Sequence, residues 1–199
     1  RLINNHGGLY NRVTYEIRLA PFTLKECEQF YADKNVKLSR YDIVQSYMIL
    51  GGIPYYMSMM DKSKSVSQNI DYLFFSKDAP LREEFNDLYR ALFKNASPHI
   101  EIVTALATKQ KGLSRLELLK ITKFPDNGAF GTMLEELEQC GFIRVYEPFT
   151  NKITTGGKRQ KNNVIYQLID FYTLFYFSFV KQNRYQDECF WTTSYNSPL

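Results

Sequence analysis

The stretch of sequence that decides the fold is residues 41–56, which read YDIVQSYMILGGIPYY. The first ten residues form an amphipathic run typical of a helix. Gly51 and Gly52 follow, and two glycines permit backbone dihedrals and a close approach that side chains would forbid. Pro54 fits the first turn of a second helix, where its missing N–H costs nothing. On spacing alone this is a helix–helix corner, and we predict a tight, rigid elbow that exposes its backbone to whatever lies against it.

The bulk composition is that of a globular protein long enough to bury a core. The chain has 199 residues, of which 44% are hydrophobic and 23% charged. Its net charge of +4 is too mild to imply a nucleic-acid partner by itself. The 15 Tyr and 15 Phe residues could stack on bases, but buried packing explains most such rings.

Cysteine and histidine spacing argues against a metal site and against a disulfide framework. Cys27, Cys140 and Cys189 are far apart and odd in number, and His6 and His99 have no metal-ligand spacing. A reducing cytoplasm is the compartment that this usage favours. Residues 1–6 lack the apolar region of a signal peptide, and the most apolar stretch, residues 171–180, is too short to span a bilayer. We therefore expect a cytoplasmic protein without membrane contact.

An orphan strand is predicted near the N-terminus. Val13, Tyr15, Ile17 and Leu19 alternate with polar residues, which is the period of a strand. One strand cannot satisfy its own backbone groups, and the following hundred residues are predicted to be helical. We expect that its sheet lies upstream, that residues 190–195 stop without a closing element, and that the chain is a fragment.

A compact helical subdomain is predicted for residues 21–96. Thr23 with Glu26 forms a capping box that begins a helix running to about residue 32, and Ser39 with Asp42 begins the helix that ends at the elbow. Two further helices are predicted, at about 66–75 and 81–93. The last has an apolar stripe formed by Leu81, Phe85, Leu88, Leu92 and Phe93.

The pattern changes after residue 98 to that of a winged helix. Helices are predicted at 99–110, from a Ser114–Glu117 cap to about 122, and from about 128 to 140, where Gly141 supplies a left-handed stop. Residues 142–146 and 164–168 are predicted to be two strands joined by a polar loop. Three helices followed by a two-stranded wing is the order of a winged helix, a relative of helix-turn-helix.

Nucleic-acid binding by this winged helix has one argument for it and one against. The wing, residues 151–163, carries the cations Lys152, Lys158, Arg159 and Lys161, which could follow a phosphate backbone. The third helix contains no Arg or Lys, and its Glu residues would repel phosphates; Asn127 alone suits base recognition. We favour intramolecular docking or protein contact, with DNA kept as an alternative partner.

Several of these segments together resemble the prokaryotic AAA+/STAND-type ATPases. The resemblance is carried by the strand leading into residues 21–24, by residues 47–56 (YMILGGIPYY), by residues 81–85 (LREEF) and by residues 141–143 with 166–172 (GFI and YQLIDFY). It spans essentially the whole chain. The Gly-Gly-Ile-Pro element is moderately specific, and the order of all the segments is more so.

This resemblance implies a role for each part of the chain. Residues 1–20 are similar to the terminal loop and strand of the ATPase core, 21–96 to the helical lid, 97–169 to the winged helix, and 170–199 to the start of a truncated nuclease-like domain. The implied fold is mainly α: a helical lid bundle, then a winged helix, with the orphan strand before them.

The implied nucleotide contacts lie at the elbow and in the N-terminal loop. Gly52, Ile53 and Pro54 correspond to the family's Gly-x-Pro, which lies against the nucleotide. Arg12 corresponds to an arginine just before the final strand, where it could act as a sensor or arginine finger; pairing with a core carboxylate is the alternative. ATP and Mg would bind the full-length parent.

The phosphate-binding elements of such an ATPase are missing from this sequence. It has no Gly-x-x-x-x-Gly-Lys-Ser/Thr loop and no hydrophobic strand ending in paired acids. We therefore expect the fragment to bind no cofactor and to be inactive alone, and the upstream core to be its partner in cis. Three hypotheses follow: a nucleotide-sensing lid and winged helix that relays nucleotide state to a partner or effector domain, a winged-helix DNA-binding module, and a helical protein-interaction scaffold.

Overall fold

The computed structural model describes residues 19–147, 164–183 and 187–195, and this part of the chain is mainly helical with a small three-stranded sheet. The first half holds α1 Leu24–Asp33, α2 Arg40–Leu50, α3 Pro54–Ser58, α4 Val66–Ile70, a first π-helical turn Asp71–Phe75, and α5 Glu84–Leu92. The second half holds α6 Ala96–Ala107, β1 Leu113–Ser114, α7 Arg115–Thr122, α8 Gly128–Gln139, β2 Ile143–Tyr146, β3 Ile165–Leu168, α9 Phe171–Phe175, a second π-helical turn Tyr176–Val180, and α10 Phe190–Tyr195. We call residues 24–92 the bundle.

The predicted helix starts are confirmed where a capping box marks them. Thr23 accepts from the backbone N–H of Glu26 at the start of α1, and Ser39 and Ser114 do the same at the starts of α2 and α7. In each box the acidic side chain reaches back to the cap residue, which satisfies two of the backbone donors that a helix leaves free. These interactions are local, so their sequence signature is reliable.

The two later helices of the bundle differ from their predicted bounds. The helix predicted over 66–75 ends at Ile70 and continues as the first π turn. The helix predicted from Leu81 begins only at Glu84, because the residues before it bond back onto that turn. The Leu81 N–H donates to the Leu73 carbonyl (2.9 Å), and the Arg82 guanidinium donates to the Phe75 carbonyl (2.6 Å).

The apolar stripe of α5 is also shifted from its prediction. Phe85 and Phe93 are buried as expected, but Leu92 is 38% exposed. Tyr89, which the predicted stripe omitted, is fully buried. Residues 85, 89 and 93 are separated by four positions each and therefore share one face of the helix.

Within the described ranges the sheet has three strands, where two were predicted. β3 lies in the middle in the order β1–β3–β2, and both pairings are antiparallel. β2 and β3 lie within one residue of their predicted bounds. β1 has only two residues, too few for a period-two pattern, and it passes close to β3 because Gly112 (φ +83°) carries no Cβ, which would lie 2.5 Å from the Tyr166 carbonyl oxygen. Gly141 adopts the predicted left-handed conformation after α8.

The segment after the sheet returns to the bundle. α9 packs along α2, and α10 contacts α4 and the first π turn. Tyr172 is buried between the rings of Tyr56 (5.1 Å between centroids) and Phe74 (6.1 Å), and Phe175 lies 4.9 Å from Phe74. A single cluster of buried side chains therefore includes the bundle, the sheet and the segment that follows it.

Three predicted features lie outside the described residues. The strand predicted over 13–19 falls there except for Leu19, which is exposed and belongs to no helix or strand. Arg12 and the wing residues Lys152, Lys158, Arg159 and Lys161 fall there too. The nuclease-like assignment of residues 170–199 and the other domain limits stay predictions. Among the described helices, none combines the length and apolarity needed to cross a membrane.

A pair of leucine truncations tests where the core lies. Leu73 is fully buried in the first π turn, whereas Leu116 on α7 is 64% exposed. Leu73→Ala should lower the free energy of unfolding by about 2–5 kcal/mol through lost burial and the cavity left behind. Leu116→Ala should change it by less than about 0.5 kcal/mol. Urea titration of both variants measures the difference, and equal losses would contradict this placement of the core.

Candidate functional site

The glycine elbow has the geometry that its sequence predicts. α2 ends at Leu50, and Gly51 (φ +68°, ψ +15°) is its left-handed cap, donating its N–H to the Tyr47 carbonyl at 2.8 Å. Gly52 is also left-handed, with φ +69°. Ile53 is extended, and Pro54 opens α3. Two consecutive left-handed residues are strained for any side-chain-bearing residue, so the pair of glycines fixes the turn.

The close backbone approach at Gly52 is made by the chain itself. The Phe22 N–H donates to the Gly52 carbonyl at 2.9 Å. A Cβ on Gly52 would lie 2.5 Å from the Phe22 carbonyl oxygen and 2.8 Å from a ring carbon of Tyr47. The absent side chain is therefore explained by the segment that leads into α1, without any ligand.

The other side of the elbow meets the start of α9. A Cβ on Gly51 would lie 3.9 Å from Oδ1 of Asp170 and 3.9 Å from the Tyr172 backbone nitrogen. The ring of Tyr47, one turn earlier in α2, contacts Phe171 edge-on with 5.5 Å between centroids. Because α9 begins three residues after β3 ends, the elbow joins the bundle to the exit of the sheet.

Asp170 is a half-buried acidic residue at this junction. Its Oδ2 accepts the Thr173 N–H at 2.8 Å, which caps α9. Burial raises the pKa of the Asp170 carboxyl above its ordinary value of 3.8, and the hydrogen bonds from Thr173 counteract that rise. A D-x-x-T cap can be recognised in the sequence as a helix start, but nothing local indicates that it faces a glycine 119 residues earlier.

Buried tyrosines line the same junction. Tyr56 donates its hydroxyl to Glu84 (2.9 Å), and Tyr172 donates its hydroxyl to the Leu81 carbonyl (3.1 Å). Burial raises the pKa of both tyrosines, so both hydroxyls stay protonated and act as donors at neutral pH. The tyrosines therefore serve as fixed hydrogen-bonding spacers between elements.

The residues predicted to contact a nucleotide differ in how deeply they are buried. Gly52 is buried, whereas Ile53 and Pro54 are half-buried and Tyr55 is 62% exposed. The space over Gly52 is filled by Phe22, and the carboxylate of Asp170 next to Gly51 would repel a phosphate. These described residues do not fit a phosphate site, and only the side formed by Ile53 and Pro54 could contact a base or ribose held elsewhere.

The face of α8 has no cation to offer a nucleic acid. Residues Gly128–Gln139 contain no Lys or Arg, and Glu135 and Glu138 are exposed. Arg115, the first residue of α7, lies beside the start of α8 and is already paired: it donates to Asp126 at 2.7 and 2.9 Å and lies over the ring of Phe130. Insertion of α8 into a major groove would bring these carboxylates towards phosphates.

Other polar residues that sequence reasoning missed hold elements together. Asn69 is fully buried, accepts the Asp61 N–H and donates to three carbonyls of the loop before α4. His99 is stacked on Phe93 and bonds Glu136 of α8 at 2.8 Å.

Across the described ranges, no group of three or more His, Cys, Asp and Glu residues could hold a metal ion.

Comparison with known proteins yields no relative. No protein-family model matches the chain, and neither a curated protein nor a solved structure matches it. Membership of the AAA+/STAND family therefore stays a prediction carried by the sequence segments quoted above.

A glycine series tests the close approach at the elbow. Gly141 is left-handed with open space around its Cβ position, so Gly141→Ala should cost only the backbone strain, about 1–2 kcal/mol. Gly52→Ala should lose a further ~1–3 kcal/mol, because the new Cβ collides with backbone atoms of Phe22. Chemical denaturation measures both losses. If the two variants unfold with the same free energy, Phe22 does not occupy the elbow in solution.

The raised pKa of the Asp170 carboxyl should make stability fall as pH rises. Its folded pKa lies above its unfolded value, so between the two values the folded state holds a proton that the unfolded state has lost. Relative to Asp170→Asn, wild-type stability should decrease as pH rises through that window and then stay level, when measured from about pH 3 to about pH 7. Subtracting the variant's curve removes the contribution of all other groups, and a pH-independent difference would refute the assignment.

Proposed function

We propose that this chain is the lid and winged-helix region of an AAA+/STAND-type ATPase, and that it relays nucleotide state from the elbow to the sheet-bearing half. The observation that carries this proposal is the position of the elbow. Its Gly52 side contacts Phe22, which follows the predicted terminal strand of the ATPase core, and its Gly51 side contacts the start of α9.

The relay is a mechanical one. The elbow is restrained by the Phe22–Gly52 hydrogen bond and by Pro54, whose ring fixes one backbone dihedral at the start of α3. Packed interiors transmit strain because they contain few voids. A shift of the segment at Phe22 would therefore move α2 and, through Tyr47 and Phe171, the start of α9.

Several features support the winged-helix part of the proposal. The order α6–β1–α7–α8–β2–β3 and the antiparallel sheet in the order β1–β3–β2 are typical of winged helices. The acidic side chains of Glu135 and Glu138, exposed on α8, favour a protein or the chain's own effector domain over DNA as the recipient of the relayed movement.

The nucleotide would be bound mainly by residues of an upstream core. ATP with Mg supplies the free-energy difference between two states, and the core would hold its phosphates. Ile53 and Pro54 would contact the base or ribose from the lid side, and Arg12 is proposed as the residue that senses the terminal phosphate. Gly52 contributes by accepting the Phe22 N–H, which holds the segment before α1 in place.

Hydrogen exchange on the protein that contains this chain together with its phosphate-loop domain tests the proposal. Adding Mg-ATP should change the exchange of the amides of residues 52–56 and, in parallel, of residues 171–175 in α9. Because the winged helix is proposed to move as a rigid body, the α7–α8 turn, residues 123–127, should keep its exchange rates and is the internal control. No change at 52–56, or the absence of a phosphate loop from the sequence encoded before Arg1, would overturn it.

A binding experiment separates this proposal from the DNA-binding alternative. The relay proposal predicts little or no binding of duplex DNA by the chain. The double variant Lys158→Ala with Arg159→Ala should have the same DNA affinity as the wild type. Affinity that falls steeply with salt and is lost in the double variant would identify the wing as a phosphate-binding element instead. Lys120→Ala in α7 with Lys123→Ala at the cap that follows it is the matched control for loss of two positive charges.

A further inference from the structure

A buried carboxylate of the bundle holds the last described helix. Asp71 is 7% exposed and lies where α4 passes into the first π turn. It accepts the Trp191 N–H at Oδ1 (2.7 Å) and the Thr192 N–H at Oδ2 (3.1 Å), and the Thr192 hydroxyl donates a short hydrogen bond to the same Oδ2. These partners are 120 and 121 residues away in the sequence. One side chain of the bundle therefore satisfies the backbone donors of the second and third residues of α10.

The apolar side of α10 lies on the same part of the bundle. Phe190 lies 4.9 Å from Phe75 between ring centroids, and Trp191 packs edge-on against Phe175 and Phe179, each at 5.2 Å. Trp191 is 7% exposed. We call residues 187–195 the strap. Its described aromatic contacts are with the first π turn and with the segment from α9 through the second π turn.

The carboxylate and the strap depend on each other. A helix of six residues is not stable alone in water, and its first N–H groups need acceptors. A buried carboxylate is costly unless its oxygens are hydrogen-bonded. When the strap detaches, water can solvate both Asp71 and the helix donors, so the open state has no orphaned polar group. If aromatic contacts alone held the strap, its detachment would expose aromatic surface to water without solvating any polar group in exchange.

We propose that Asp71 is a latch, and that the strap opens and closes as a unit while the rest of the bundle stays folded. In the closed state the strap covers Phe75 and Phe175 and moves with the bundle. In the open state that aromatic surface is uncovered. This device does not depend on the proposed ATPase function.

The single tryptophan of the chain, Trp191, makes the latch measurable. Asp71→Asn keeps the size of the side chain and removes its charge, so it should shift Trp191 emission to longer wavelength and raise acrylamide quenching several-fold at unchanged helix content. Asp78→Asn, the same change at an exposed position of the following loop, should leave both unchanged. Wild-type fluorescence in Asp71→Asn would overturn the proposal.

Native-state hydrogen exchange of the unmodified chain covers the case in which Asp71→Asn unfolds entirely. The amides of Trp191 and Thr192 should exchange through a local opening that is much more frequent than the opening of the amides of Leu73 and Phe74, and insensitive to low denaturant. Equal protection of the two sets would show that the strap opens only by global unfolding, which would refute a separate latch.

Discussion

The structure depends on the burial of Tyr172. Its ring fills the space between Tyr56 and Phe74, and its hydroxyl bonds the Leu81 carbonyl at 3.1 Å. Two links between the halves of the chain lie beside this residue: Asp170 lies near the elbow, and Phe175 packs against the first π turn. Other links lie elsewhere, among them the stacking of Tyr89 on Phe142 (4.6 Å between centroids) and the bonds from Asp71 to α10. Removing this side chain would take away one buried hydrogen bond and two ring contacts that hold the start of α9 on the bundle.

This arrangement changes what the glycine elbow is for. Two glycines and a proline indicate a backbone that something approaches closely, and the structure identifies Phe22 and Asp170 as neighbours on its two sides. A ligand is then not needed to explain Gly52. It is the position of the elbow between two chain segments, rather than an open surface, that makes a role in relaying movement physically reasonable.

Local features could be predicted from the sequence, and distant ones could not. The capping boxes at Thr23, Ser39 and Ser114 and the left-handed Gly141 were predictable because each depends on residues within one turn. Strand β1 was missed because two residues cannot show a period. The late start of α5 was missed because the bond from Arg82 to Phe75 crosses an irregular loop, and Asp71 because its partners are 120 residues away.

The bond between Tyr172 and Leu81 also bears on how the chain acquires its structure during synthesis. Ribosomes add about 5–20 residues per second, so the hydroxyl donor emerges roughly 5–20 s after its acceptor, which lies 91 residues earlier. For that interval Phe74 and Phe75 have no ring from α9 or α10 to cover them. The helices that are synthesised first keep part of their apolar surface exposed until the residues that complete their core have been made. This is the interval in which a nascent chain would most need a chaperone.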